Sequence, residues 1–456
     1  MTARPVSALL HGFCYWFLGP RAWSHHTVNL SLFATSVLLT HATLCRTVDR
    51  SLAFVACSFF IVYPAASGTV FSAIMMNSNL AAAFWAAAIW VASTREMRPR
   101  TTALVASLLV ASALSYESFV PLFPAVALAG GTDFGSWNGR RALRASWPVV
   151  IALCGVALYR LVLERAIFGG VLTRASIPHD LASRLVSVPL DGARVAFIDS
   201  IRISAHALRD LSLAPPIALG ILACLLIPFL LVLWRSLTGP PGHGRRTLVI
   251  VAACVFLMVH FIFLGSEYRP TAHGFESRTQ GAIRFGAGFL VASVFLAMTA
   301  LQKVKLAARV ICLGAFLLFT LGVVGQREAW IAAGRYNREV LGEIDSALRS
   351  SDLLGADSLT LVAVLDRKFS ASVNGEPTFG TSWDLGPALE VAHPGLKVSA
   401  NVYTVKRARV DPRGVTLDGS WRANFPFHAF RTGAGIRQIR SEHEWGEAMG
   451  DSVREP

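Results

Sequence analysis

The chain has 456 residues, 54% of them hydrophobic and only 15% charged, with a mean hydropathy of +0.51. Soluble domains carry roughly 25% charged residues, so this composition excludes a water-soluble protein over most of the length. The net charge of +14 would suggest nucleic acid in a soluble chain. Here the basic residues punctuate apolar segments and read as anchors of membrane loops, with no nucleic-acid partner.

In chain order, the first element runs from Arg4 to Leu44. An Arg4-Pro5 pair opens an aromatic-rich half-span that breaks at Gly19-Pro20, and His25, His26 and Asn29 then begin a long apolar run. The pattern predicts a helix on the membrane surface followed by a span, with His26 and Asn29 at the mouth of a site. Polar groups entering lipid are costly unless used or satisfied, and the simpler alternative is that these two only cap the span. A span needs about 20 apolar residues to cross ~30 Å of hydrocarbon. Residues 27–45, 51–72, 73–93, 146–163, 214–234, 247–265, 283–301 and 306–325 meet that length.

The stretch 102–130 is too long for one span. Ser115-Tyr116-Glu117-Ser118 interrupts it, with Pro121 and Pro124 just beyond, so it reads as two short helices meeting at Glu117. With that hairpin, the short links holding Arg46 and Arg50, Arg95 to Arg100, Arg140 to Arg144, Arg235 to Arg246, and Lys303 with Lys305 all fall on one side. The positive-inside rule makes that side cytoplasmic. The long loop 164–213 falls outside, although it holds several arginines. Ile198, Ile201, Ala205 and Leu208 repeat at helical spacing opposite Arg194, Arg202 and Arg209, as in an amphipathic helix lying on a membrane.

From Gly325 the composition changes. Residues 328–349 read as an amphipathic helix, 358–366 and 396–403 as strands, and 383–391 as a short helix between them. The fold class expected is therefore an all-α polytopic membrane domain of about 9–10 spans, residues 1–325, with a small α/β domain on the outer face, residues 326–456.

The Arg4-Pro5 and His26-x-x-Asn29 elements resemble the entry to a span in polytopic GT-C glycosyltransferases, notably those of the protein O-mannosyltransferase type. Phe60-Ile-Val-Tyr-Pro64 also resembles a family motif, but Gly68 stands where the family has an acid and Met76 near its basic position. Phe33 replaces the family's second His. Glu117 matches a Glu at a short-helix junction, with Tyr116 in place of a Lys. The loop 265–284 resembles the family's entry to a late span, with Glu276-Ser277-Arg278 for its Glu-Arg. In this family a further span and an acidic loop precede the Arg-Pro element, and the sequence shows neither.

The resemblance implies transfer of a sugar from a polyprenyl-phosphate donor at the periplasmic face of a bacterial inner membrane, to a glycan, lipid or protein acceptor. Such chemistry uses a carboxylate base and cations for the donor phosphate. Glu117 is the candidate base; the alternative is a turn carboxylate bonded to backbone N–H groups. Arg269, Arg278 and Arg284, with Glu276, His26 and Asn29, are the candidate donor-binding residues, since Arg offers a charged fork that fits phosphate. The simpler reading of that loop is an ordinary hydrophilic connection. Arg160 reads as a snorkelling residue, and Trp383 either touches a glycan or packs under a turn. The seven cysteines all lie in apolar stretches and His428 and His443 lack ligand spacing, so no metal site and no cofactor motif is legible; dependence on a divalent ion stays open. A non-catalytic polytopic protein is the rival reading, either a degenerate partner subunit or a transporter of lipid-linked glycans.

Overall fold

The computed structural model describes residues 4–19, 21–72, 75–133, 136–168, 180–238, 244–264, 269–272, 280–300, 304–351, 353–365, 382–403, 408–417 and 421–449. Two compact units result, Met1–Arg327 and Glu328–Pro456.

The first unit is helical. α1 (Pro5–Leu18) has Pro at its first turn, where no N–H is needed, and ends at Gly19, whose φ of 67° permits the stop. α2 (Ala22–Thr47) follows. α3 (Arg50–Ile61) is capped by Asp49, which accepts from the Ser51 N–H at 2.8 Å. Pro64 cannot continue that helix. The chain bends by 50° into a 3₁₀ turn, Pro64–Ala66, and the short α4 (Gly68–Phe71). α5 (Met76–Thr94) and α6 (Pro99–Ser115) come next. The helix breaks at Tyr116, resumes as a 3₁₀ stretch from Glu117 to Leu122, and continues as α7 (Ala125–Gly131).

A two-residue ribbon, β1 (Thr132–Asp133) with β2 (Ser136–Trp137), leads into α8 (Gly139–Leu158). A π-helical turn, Tyr159–Leu163, joins α8 to α9 (Glu164–Phe168). α10 (Leu181–Arg194) runs through a second π-helical turn into α11 (Ser200–Ala207). α12 (Pro216–Thr238), α13 (Arg245–Leu264), α14 (Gln280–Ala300) and α15 (Lys305–Ser350) complete the series.

Six of these helices are long and apolar enough to cross a membrane, or seven if the bent pair at Pro64 counts as one. That is fewer than the 9–10 expected from the sequence. Pro5–Leu18, Pro99–Ser115 and Glu117–Gly131 are apolar but short. The stretch 51–72 is bent by Pro64, and α5 opens on Asn77, Ser78 and Asn79, which lower its hydropathy. The helix expected to stop near Gly325 instead continues as α15 for 46 residues. At Gly325 a side chain would run into the Ala207 carbonyl, so this glycine serves helix packing and no turn.

The core of this unit is an aromatic cluster where α3, α5, α14 and the Glu117–Leu122 stretch meet. Ring centroids of Phe60 and Phe285 lie 4.4 Å apart, and those of Trp85 and Phe285 4.8 Å apart. Such pairs add about 0.5–1.5 kcal/mol each beyond area burial. The helical run from α10 to α11 buries Val188, Gly192, Ala196, Ile203 and Ala207, while Ile198, Ile201 and Leu208 stay exposed beside Arg202 and Arg209. The apolar stripe singled out in the sequence is thus the outward one, and a second stripe does the packing.

In the second unit, β3 (Ser358–Val364), α16 (Ser382–Ala392) and β4 (Lys397–Val402) form a parallel crossover. A small antiparallel sheet follows, β5 (Ala408–Asp411), β6 (Gly414–Leu417) and β7 (Trp421–Asn424). β8 (Phe427–Arg431) then joins β3 in parallel and pairs antiparallel with β9 (Gly435–Ile439), for a sheet order β4-β3-β8-β9, before α17 (Glu442–Met449). Leu359, Leu361 and Ala363 of β3 pack with Ile344, Leu348, Leu385 and Leu389. Val362 and Val364, on the other face, pack with Val415, Phe427 and Trp445. The alternation of β3 therefore feeds two small cores.

Candidate functional site

The residues singled out in the sequence separate into two constellations. The first surrounds the break at Pro64. A bent span leaves carbonyls without helical donors, and in an apolar interior each must find a partner. Asn29 is fully buried. Its Nδ2 group lies 3.2 Å from the Thr69 carbonyl and 3.1 Å from that of Val70, and donates to them. Its Oδ1 accepts from Asn79 Nδ2 at 2.7 Å, and Asn79 also donates to Thr69 at 3.0 Å. Arg284, 2% exposed, donates from Nη2 to the Ala66 carbonyl at 2.7 Å. Its guanidinium carbon lies 4.8 Å from the Phe33 ring centre and 5.8 Å from that of Phe60.

Asn29 and Arg284 are thus brought together, and both are spent on the backbone of the break. Phe33, which stands where the resembled family has a second His, supplies the ring on which the buried cation rests. Asn29 does not cap α2, which begins at Ala22 without a side-chain cap. Some polar atoms beside it remain unmatched. The Gln280 amide, in the first turn of α14, and Arg284 Nε have no hydrogen-bond partner among the described residues. Ser67 Oγ donates to Gln326 Oε1.

The second constellation is built on Glu117. Arg4 donates to both carboxylate oxygens, Nη2 to Oε1 at 2.6 Å and Nε to Oε2 at 2.9 Å. This is the bidentate geometry that Arg adopts toward carboxylates and phosphates. Arg4 also lies 4.3 Å over the Tyr116 ring, which steadies the arginine. Arg160 acts on the same carboxylate through space and is itself held by Glu164, Nη1 to Oε2 at 3.0 Å. The Glu164 side chain is fully buried, and its Oε1 has no partner among the described residues.

Four alternating charges therefore gather where α6 breaks and α8 turns π-helical, a type of helical defect frequent at functional sites. Glu117 remains 45% and Arg4 29% exposed. Glu117 is thus no isolated base: Arg4 pairs with it, and its own backbone N–H also bonds the carboxylate. Arg160 does not merely snorkel, and its pairing was readable: Glu164 follows it at the i+4 spacing of a helical ion pair. The Arg4–Glu117 pair joins residues 113 positions apart, which no local pattern reveals.

Arg269 lies 3.6 Å from Asp191 and is 59% exposed. His26 is half-buried at the start of α2, and its neighbour His25 donates from Nε2 to the Gly19 carbonyl at 3.0 Å. Glu276 and Arg278 lie outside the described residues, as does the Trp383 side chain. Among the described residues, no three His, Cys, Asp or Glu side chains are placed to hold a metal ion. A slot of about 50 Å³ between Thr40, Thr43, Trp85, Leu128, Val255 and Phe289 holds none of the expected site residues.

Comparison of the chain with protein-family models, with characterised proteins and with solved structures finds no match.

Proposed function

We propose that this is a multi-pass protein of a bacterial inner membrane that transfers a sugar from a polyprenyl-phosphate donor to a glycan, lipid or protein acceptor at the periplasmic face, where residues 326–456 also lie. The observation that carries this reading is the Glu117 constellation. It sets a part-exposed carboxylate in a bidentate pair with Arg4, with the Arg160 charge acting on it through space. In the transfer, an acceptor hydroxyl oxygen bonds to the anomeric carbon as the bond from that carbon to the phosphate oxygen breaks. The hydroxyl proton passes to Glu117, and the polyprenyl phosphate leaves with the bonding electrons. Arg4 and Arg160 stabilise the phosphate charge that develops. Arg269 and Arg278 keep a part in this reading as outer residues that gather the anionic headgroup, with Glu276 and His26 beside the acceptor path. Asn29 and Arg284 support the fold beneath.

The test is transfer of labelled sugar from a polyprenyl-phosphate donor by membranes holding wild type or Glu117→Gln. Loss of a general base costs roughly 10²–10⁴ in rate, with protein level unchanged. Equal rates in the two would remove Glu117 from the chemistry. No transfer by wild type would favour the non-catalytic reading. One observation favours transport in particular. Two helices of this unit are broken, at Pro64 and at Tyr116, and paired broken helices mark transporter sites. Movement of a fluorescent lipid-linked sugar across proteoliposomes, without transfer, would establish that alternative.

A further inference from the structure

The outward face of α8 changes character partway along its length. Its inner stripe, Ala142, Ala145, Val149 and Ala152, is buried against the bundle. On the far side Arg140, Arg144, Trp147 and Ile151 follow at steps of four, three and four residues, the spacing of one stripe on a helix. All four are exposed, Trp147 by 61% and Ile151 by 49%. The stripe is cationic over its first turn and apolar from Trp147 on. Ile151 lies seven residues beyond Arg144, about 10 Å along the axis. Guanidinium groups and apolar side chains are thus stacked at the depths where a phospholipid places its phosphate and the start of its tails.

A second basic link meets the first. A side chain at Gly130, near the end of α7, would lie 2.5 Å from Ala145 Cβ and 3.5 Å from the Ala92 carbonyl oxygen. The last turn of α5 and the first turns of α8 therefore share one end of the unit. Residues 95–100 and 136–144 hold six arginines and one acid, and that acid, Glu96, is spent on Arg98 at 3.0 Å. Trp137 of the β1–β2 ribbon is 60% exposed although its ring lies over Gly131, which adds a second indole at this level. Positive charge spread over loops only orients a membrane protein. A stripe of defined width and depth selects a molecule.

We propose that this stripe binds one anionic phospholipid, its phosphodiester on Arg140 and Arg144 and an acyl chain along Trp147 and Ile151. Two guanidinium groups one turn apart offer forked donors to a phosphate. The added positive charge of residues 95–100 favours a headgroup without an amine. The proposal uses the membrane reading of the chain and is independent of the chemistry at Glu117.

The test is titration of the full chain in micelles with dioleoyl phosphatidylglycerol, the first bound lipid being followed by native mass spectrometry. Dioleoyl phosphatidylcholine is the neutral control, and glycerophosphoglycerol supplies the headgroup without tails. Arg140→Gln with Arg144→Gln weakens phosphatidylglycerol about tenfold or more and leaves phosphatidylcholine unchanged. Should that pair not fold, Arg144→Gln alone stands in, with a loss of roughly threefold or more. Arg235→Gln with Arg246→Gln removes the same charge from another basic link, where both residues are exposed, and keeps wild-type affinity. Phosphatidylglycerol bound equally by wild type and the Arg140, Arg144 variant overturns the site. So does an equal loss in the Arg235, Arg246 variant, which would show a diffuse attraction with no locus. Equal affinity of wild type for the two lipids overturns the selection by charge. Glycerophosphoglycerol binding as tightly as the lipid overturns the part given to Trp147 and Ile151.

Discussion

Two helices of the first unit, α12 and α14, have opposite characters. α12 is the more apolar, with a mean hydropathy of 2.8 against 1.8, yet 6% of its best window is buried against 72% for α14. Water would impose the reverse, because the most apolar helix gains most by leaving it. The inversion is what lipid selects. Helices that face hydrocarbon need only be apolar, whereas those inside carry the polar contacts and small residues that drive association. α14 has Gln280 and Arg284 buried. Side chains at its Gly286 and Gly288 would sit 2.5 Å from Phe256 Cα and 2.8 Å from Phe60 Cα. At Gly220 of α12 nothing lies within 4 Å.

The sharpest way to break this contrast is a charge on the outer helix. Leu225, 67% exposed, should tolerate Arg freely if it faces water. If it faces lipid, Leu225→Arg costs about 2.5–3.5 kcal/mol of insertion, read by a glycosylation-mapping assay of α12 in the full chain. Insertion equal to wild type would undo the contrast. Next in size is overpacking of the inner helix. Gly288→Leu should destabilise the unit by about 1–3 kcal/mol in reversible unfolding in mixed micelles, whereas Gly220→Leu should leave the transition where it was. Equal effects at the two glycines would mean that α12 packs as closely as α14. The smallest effect expected is at the supports of the break. Asn29→Ala should cost about 0.6–1.7 kcal/mol, the range for polar contacts between membrane helices. An Asn29→Ala variant with wild-type stability and no activity would move Asn29 from support to chemistry.

How much of this was legible follows from where the partners lie. The break at Glu117 showed in the sequence, because a charged residue with two prolines just beyond interrupts an apolar run. The crossover from β3 through α16 to β4 showed in its alternating and helical periods. The strands after it, β5 to β9, are four or five residues each, too short for a clear period. A hydropathy window counts apolar residues and does not register a bend, so 51–72 read as one straight span. Arg284 read as a ligand for phosphate because sequence shows a cation near a loop and conceals the carbonyl 218 positions away that receives it. The contacts of Asn29 were similarly hidden, its carbonyl partners lying 40 and 41 positions on.

The separation of Ala66 from Arg284 sets a timetable for synthesis. Ala66 is synthesised 218 residues before Arg284, which at ribosomal rates is a delay of roughly 10–40 s. Throughout that interval the bend after α3 lacks the guanidinium that will occupy its carbonyl. The bend is therefore complete only once α14 has emerged and brought Arg284 to it.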